Sequence, residues 1–247
     1  TVLVEKNEKL GKKLFITGKG RCNVTNACDI QDFFANIAHN ANFCYSALYS
    51  FPQERAMELI QSQGVELKVE RGNRVFPQSD KSSDIIKALE SYLSSSGTEV
   101  LKRTKLEDIF VSNGKVTGVK INGKIRSCDK LILALGGASY VSTGSDGKWK
   151  KMLENLGHTV KEFRPALAPM KSDDKDILSL QGLSLKNVSL KAYKGNKCIF
   201  DQLGEMLFTH FGISGPLTLT LSSVLERDLS GISVEVDLKP GLSEDQL

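Results

Sequence analysis

The apolar residues of this chain follow two periods in turn, one helical and one of alternating type. Thr1-Val-Leu-Val4 opens as a short β-branched apolar run, which predicts a strand buried on both faces of a parallel sheet. Helical spacing follows. Asp29 can cap a helix running to about Ala38, Pro52 at a first helical position opens one to about Gln63 that Gly64 closes, and Ser82 or Ser83 caps Asp84 to Ser96, closed by Gly97. From Thr98 the period becomes two. Lys105–Ser112, Lys115–Ile121 and Lys124–Cys128 read as strands joined by Asn113-Gly114 and Asn122-Gly123, a hairpin signal that predicts a three-stranded antiparallel meander. The meander leads into Leu131-Ile-Leu-Ala-Leu135, a second apolar run of buried parallel type ending in Gly136-Gly137, and then a helix over 148–156 that stops at Gly157.

Beyond Arg164-Pro165 and Pro169 the chain turns to strands. These cover 186–193 and 197–201 around a Gly195-Asn196 turn, then 206–209 and 232–238, interrupted by one helix over about 216–227. The class is therefore α/β, with a domain boundary near Pro165 that separates 1–164 from 165–247. Ser243-Glu-Asp-Gln246 has the spacing of a helix-opening capping box just before the last residue. Together with a first strand that arrives without a neighbour, it marks the chain as an internal piece of a longer polypeptide, with a strand expected before Thr1 and a helix after Leu247.

Composition narrows the classes. With 247 residues, 40% of them apolar and 25% charged, disorder, collagen and coiled coil are excluded. The formal charge of +4 is concentrated: residues 1–21 hold Lys6, Lys9, Lys12, Lys13, Lys19 and Arg21 against Glu5 and Glu8. Such a local surplus suits one anionic ligand better than a nucleic-acid track, which would spread its basic groups along a face. Five cysteines without a C-x-x-C pair suggest neither a disulfide framework nor a zinc knuckle and fit a reducing cytoplasm. The sequence contains no apolar run of membrane-spanning length.

Three constellations carry candidate chemistry. Glu5 stands at the carboxyl end of a parallel-type strand, where it reads either as a solvated carboxylate or, in a dinucleotide-binding βαβ unit, as the acid that accepts hydrogen bonds from both adenosine ribose hydroxyls. The glycine fingerprint belonging to such an acid, about twenty residues earlier, would precede Thr1. The second constellation runs from Gly11 to Asn26. Gly18 and Gly20 allow a backbone to come close to a ligand while Lys12, Lys13, Lys19 and Arg21 surround it with positive charge, an arrangement suited to a diphosphate or an electron-rich ring, or to a basic surface turn. It is neither G-x-G-x-x-G, since Asn23 replaces the last glycine, nor a P-loop. Cys22 and Cys28, also within reach of this segment, read as a redox dithiol or as two inert small hydrophobes. The third is Gly212-Ile-Ser-Gly-Pro216. Its proline defeats the G-x-S-x-G pattern of a serine hydrolase, but Ser214 or Gly215 can cap a helix opened by Pro216 beside His210, a candidate substrate-side group. His39, His158 and His210 are scattered and give no metal motif.

Longer strings add a resemblance. Val4-Glu-Lys-Asn-Glu-Lys-Leu-Gly-Lys-Lys-Leu14, Thr17-Gly-Lys-Gly-Arg-Cys-Asn-Val-Thr-Asn26, Val75-Phe76-Pro77, Ala134-Leu-Gly-Gly-Ala-Ser-Tyr140, Thr143-Gly-Ser145 and Leu207-Phe-Thr-His-Phe-Gly-Ile-Ser-Gly-Pro216 resemble, in order, the HI0933-like (BaiN-type) family of bacterial flavoproteins. The resemblance implies a Rossmann-like FAD-binding domain over 1–164, lacking its first strand and glycine fingerprint, and an incomplete β-rich inserted domain over 165–247. It implies an NAD(P)/FAD-dependent oxidoreductase in which Glu5, with Lys6 beside it, meets the adenosine ribose and Lys12 and Lys13 lie near the diphosphate. Gly18, Gly20, Arg21, Cys22 and Asn23 would lie beside the isoalloxazine, and Ala134, Gly136 and Gly137 would form the second glycine turn under the cofactor. Val141 stands where the family has proline, and Thr143-Gly-Ser-Asp-Gly147 is a shortened form of the family's loop.

The expected reaction is hydride transfer from NAD(P)H through FAD to an acceptor, with Arg21 and the backbone of Gly18 and Gly20 stabilising negative charge on the reduced ring. The weaker catalytic candidates are Cys22 and His210. Two other readings stand beside it: a flavin-dependent RNA-modifying protein, and a non-catalytic fragment that no longer binds FAD.

Overall fold

In a computed structural model, residues 1–225, 228–242 and 246 are described, and they form two units, Thr1–Lys161 and Glu162–Leu247. In the first, strand β1 (Val2–Val4) is followed by helix α1 (Lys12–Ile16), strand β2 (Thr25–Asn26) and helices α2 (Ile30–Ala35), α3 (Tyr45–Ser50) and α4 (Gln53–Ser62). A hairpin of β3 (Leu67–Glu70) and β4 (Arg74–Pro77) precedes helix α5 (Ser82–Ser95) and strand β5 (Glu99–Leu101). The meander β6 (Leu106–Ser112), β7 (Lys115–Ile121) and β8 (Lys124–Ser127) and helix α6 (Trp149–Asn155) complete the unit.

β1 and β5 form a parallel pair with Leu3 opposite Val100. β1 is not buried on both faces, as its composition predicts, because β5 is its sole ladder partner among the described residues and leaves Val4 37% exposed. β2, β4 and β3 make a small antiparallel sheet in that order, none of whose strands the alternation of residue types announces. Cys22, Ile60, Ile85 and Ala88 form the core between these elements, with Leu14, Val24 and Leu89 packed against it. Ile85, Ala88 and Leu89 repeat at helical spacing along α5, which is why that helix turns one face inward.

Three boundaries depart from the expected ones. Pro52 is the cap of α4 and not its first helical residue, and α2 ends at Ala35, where Asn36 takes over as the C-cap. Ser82 lies inside α5, and its buried hydroxyl donates to the carbonyl of Phe15 at 2.9 Å instead of capping.

The meander forms at the expected positions. Asn113-Gly114 and Asn122-Gly123 adopt φ of 49°, 73°, 43° and 77°, the left-handed pair that a two-residue hairpin turn requires. Asn122 adds a bridge of its own: its Oδ1 accepts from the Lys105 N–H at 2.9 Å and its Nδ2 donates to the Arg103 carbonyl at 3.0 Å. Asn122→Ala, which loses both bonds and must hold a left-handed backbone, should lower the urea-unfolding free energy of this unit by about 2 kcal/mol. A loss below about 0.5 kcal/mol would mean that the turn is set by Gly123 alone.

Leu131–Leu135 is not a strand. The segment is irregular, pairs with no ladder among the described residues, and leaves Ile132 91% exposed. Apolar composition selects burial, but a strand exists only where a neighbouring edge accepts its hydrogen bonds.

The second unit is β-rich. It contains β9 (Met170–Lys171), helix α7 (Lys175–Ser179), β10 (Ser184–Lys194), β11 (Lys197–Thr209), β12 (Gly212–Ser214), helix α8 (Pro216–Val224) and β13 (Ile232–Asp237). The five strands are antiparallel in the order β13-β10-β11-β12-β9. Val188, Leu190 and Ala192 alternate along β10 and, with Met206 and Phe208 of β11, pack against Leu217 and Leu221 of α8. The runs 197–201 and 206–209 are one strand. Gly204 bridges them because the side chain of Leu217 lies where a Cβ would come, 3.0 Å from it. Of the helix expected over 216–227, residues 226 and 227 lie outside the described residues, as does the capping box at Ser243.

Candidate functional site

The β1–β5 ladder continues past its last strand residue. The Glu5 N–H donates to the Leu101 carbonyl at 2.9 Å and the Thr104 N–H donates to the Glu5 carbonyl at 2.9 Å, so Glu5 is fixed at the carboxyl end of the parallel pair. Its half-buried carboxylate accepts from the Asn7 N–H through Oε1 at 2.7 Å, while Oε2 has no partner among the described residues. An acceptor-only group with one oxygen in reserve can still take a hydroxyl hydrogen bond.

The loop over 136–147 is fastened against this strand end. Lys6 pairs with Asp146 at 3.0 Å, and the Asn7 amide donates to the Thr143 carbonyl at 3.1 Å. The hydrogen bond from Lys6 holds the Asp146 carboxyl below the usual carboxylate range. Gly136, at φ 73°, has no room for a side chain: a Cβ there would lie 2.7 Å from Oγ of the buried Ser145. Its carbonyl accepts from the indole of Trp149 at 2.9 Å. Gly137 and Ala134 are exposed beside it.

Helix α1 joins the loop from the other side. Lys13 Nζ donates to the Ser139 carbonyl at 2.8 Å and to its hydroxyl oxygen at 3.0 Å, and lies 4.9 Å from the centre of the Tyr140 ring. Lys12 pairs with Glu8 one helical turn earlier, at 3.1 Å.

After α1 the chain makes a tight turn with Gly18, Lys19, Gly20 and Cys22 all at positive φ. A Cβ on Gly18 would lie 2.8 Å from the Asn23 nitrogen and 3.0 Å from the Phe76 ring, whereas one on Gly20 would meet nothing within 4 Å. Cys22 closes the turn by donating its N–H to the Thr17 carbonyl at 3.0 Å, and its side chain is 0% exposed. Burial raises its thiol above the usual range, so the thiolate that a dithiol mechanism needs is disfavoured. The Asn23 amide, oriented with nitrogen as donor, reaches the carbonyls of Thr25 at 3.0 Å and Val75 at 3.2 Å.

Arg21 does not point its charge into open space. One carboxylate, Glu70 of β3, takes both guanidinium arms at 2.8 and 3.2 Å, and Asp80 takes a third bond at 3.0 Å. The guanidinium carbon lies 3.9 Å from the centre of the Phe76 ring. Lys68 completes the group with Asp80 at 2.6 Å. The bond from Arg21 lowers the Glu70 carboxyl, and those from Lys68 and then Arg21 lower that of Asp80.

The structure thus gathers Glu5, Lys6, Lys13, Gly136 and Gly137 around one strand end, and Gly18 to Asn23 in one turn of the same unit. His210 belongs to the second unit, exposed between β11 and β12 with its ring edge-on to Phe211 at 4.9 Å. Pro216 opens α8 with Gly215, φ 93°, as its cap, so the cap contributes no side chain. Among the described residues no cluster of potential metal ligands occurs and no helix is long and apolar enough to cross a membrane. Glu70, Asp80, Asn7 and Asp146 escape a reading of the sequence because nothing in their local context distinguishes them from ordinary surface polar residues.

An acid closing a parallel strand, with glycine turns beside it, is Rossmann-type geometry. The chain belongs to the HI0933-like family, whose Rossmann-domain model matches residues 1–223. It is 28% identical over 248 aligned positions to the 3-dehydro-bile acid delta(4,6)-reductase of Clostridium scindens, covering 99% of this chain and 59% of that protein. It is also 28% identical to the ribosomal RNA dihydrouridine synthase of Escherichia coli, covering 97% and 58% of the two chains. With the Haemophilus influenzae protein of that same name the identity is 30%, covering 96% and 57%. The chain therefore spans rather less than three-fifths of the length of these curated relatives.

Proposed function

We propose that this chain binds FAD and supplies part of a reductase that passes a hydride from NAD(P)H, through the flavin, to a carbon–carbon double bond conjugated to a carbonyl. The observation that carries the reading is Glu5: a half-buried carboxylate at the end of a parallel strand, one oxygen held by its own turn and the other unengaged. That donor-poor, acceptor-rich group fits a ribose diol. The shape of the Thr17–Asn23 turn fits the same cofactor, since the open side of Gly20 admits a ring or a phosphate where a side chain would intrude. FAD, when bound, supplies the hydride chemistry.

The chain's own residues orient and confine. Glu5 accepts from the ribose hydroxyls, Lys13 keeps the 136–140 loop in place through Ser139, and Lys6 does the same for Asp146. Lys19, exposed and without a partner among the described residues, gives the turn a net positive charge for an anionic cofactor.

The acceptor class rests on the names of the relatives. A 3-dehydro steroid with delta(4,6) unsaturation and a uracil ring both offer a ring double bond in conjugation with a carbonyl. Ribosomal RNA as the acceptor is a second reading, favoured by two of the three relatives.

The test uses the full-length protein. It should purify with flavin absorbance, or acquire it on addition of FAD, and the band should bleach anaerobically with NADH or NADPH. A colourless protein that takes up no FAD overturns the reading. RNA as acceptor predicts RNA binding that weakens steeply as salt rises, because phosphate contacts release counterions; no RNA binding even at low salt excludes it.

A further inference from the structure

The geometry points to Glu70 and Asp80 as positioning residues, which hold Arg21 as a strut that gives the Thr17–Asn23 turn its cofactor-ready shape. This rests on the FAD reading above and reassigns Arg21: its charge is spent inside the protein and not on the ligand.

The bonds support a strut. Arg21 offers a planar fork of donors, and Glu70 meets it with both oxygens at 2.8 and 3.2 Å while Asp80 adds a third contact at 3.0 Å from a different loop. Paired parallel bonds fix the orientation of a guanidinium as well as its position. The flat face is fixed too, by Phe76 at 3.9 Å. Phe76 is the ring that a Cβ on Gly18 would approach to 3.0 Å, so the residue that carries the guanidinium also limits the turn from beneath. Glu70 comes from β3 and Phe76 from β4, while the chain beyond the turn is hydrogen-bonded to β4 through the Val24 N–H and the Val75 carbonyl at 2.8 Å. The small β2-β4-β3 sheet therefore works as the bench on which the turn is mounted.

Charge leads to the same assignment. Arg21 and Lys68 face Glu70 and Asp80, two cations against two anions, so the cluster carries no net charge to offer a bound anion. Lys19 is then the unpaired cation of the turn among the described residues. Of the four residues of this turn at positive φ, Gly18 and Gly20 are indifferent to the left-handed shape, while Lys19 and Cys22 each cost about 1 kcal/mol in it, so local preference alone does not hold the turn. An external clamp supplies what local preference does not.

The test compares Arg21→Lys, Arg21→Gln, Glu70→Gln and Asp80→Asn in the full-length protein. The first readout is amide hydrogen exchange at Arg21 and Cys22 in cofactor-free protein, with β10 and β11 as the internal reference. The second is FAD affinity by titration. A strut predicts that Arg21→Lys, which keeps the charge and loses the fork, behaves like Glu70→Gln: exchange in the turn speeds up on the order of tenfold, FAD binding weakens by a similar factor, and the reference strands do not change. If Arg21→Lys matches the unmodified protein while Arg21→Gln loses FAD, the charge acts on the ligand and the proposal falls. Unchanged exchange in Glu70→Gln and Asp80→Asn overturns it as well. Should a carboxamide variant fail to fold, Arg21→Lys still decides. A protein that binds no FAD at all refutes the cofactor reading, while the exchange data continue to judge the clamp separately.

Discussion

Leu190→Ala is expected to destabilise the β-rich second unit by about 3 kcal/mol, the middle of the range for leucine truncation in a core that cannot collapse around the gap. Leu190 is 0% exposed, and β10, which carries it, is held on both sides, with Gln202 of β11 and Val236 of β13 as its cross-strand neighbours. Leu217 and Leu221 of α8 and Met206 and Phe208 of β11 belong to the same buried cluster. With ladders on both edges of the strand, the backbone has no free side toward which to move. The measurement is urea unfolding followed by amide exchange of β10 and β11; a loss below about 1 kcal/mol would mean that the cluster repacks.

Gly18→Ala should have the largest effect on the candidate cofactor site. A methyl group there needs a left-handed backbone at φ 56° and would sit 2.8 Å from the Asn23 nitrogen and 3.0 Å from the Phe76 ring. The backbone term costs about 1 kcal/mol, and the contact with a main-chain nitrogen moves the turn itself. Since each step of about 1.4 kcal/mol is a tenfold change in affinity, FAD titration should show a loss on the order of tenfold or more. Gly20→Ala is the contrasting case, with φ 86° and no atom within 4 Å of the new methyl. It should leave the cofactor-free protein less perturbed than Gly18→Ala and still weaken FAD, because the methyl would project into the space assigned to the cofactor. Equal FAD affinity in Gly20→Ala and the unmodified protein would place the cofactor elsewhere.

Where the sequence was informative, the signal was local. Asn-Gly pairs specify hairpin turns by their own backbone preference, and the meander stands where they put it. Gly64, Gly97 and Gly157 follow the three helices they were expected to close, all at positive φ. What was not legible depends on partners distant in the chain. Leu131–Leu135 has the composition of a parallel strand and lacks the neighbour, while Thr25–Asn26 has little strand character and is one because Arg74–Val75 lies alongside. Gly204 looks like an interruption and is the point where α8 presses onto β11.

The site divides the same way. Glu5, Lys6, Lys13, Gly18 and Gly136 belong to quoted motifs and lie around one strand end and the adjoining turn. Glu70 and Asp80, 49 and 59 residues from Arg21, have no sequence mark, since an ion pair across that distance is written by topology alone. The motif identified Arg21 but not what it touches.

Trp149 is the chain's single tryptophan, and its indole nitrogen is tied to the Gly136 carbonyl in the loop beside Glu5. Its emission is consequently a built-in optical gauge of that loop. A change in that emission would report movement of the loop, so its state can be followed in real time without attaching a dye.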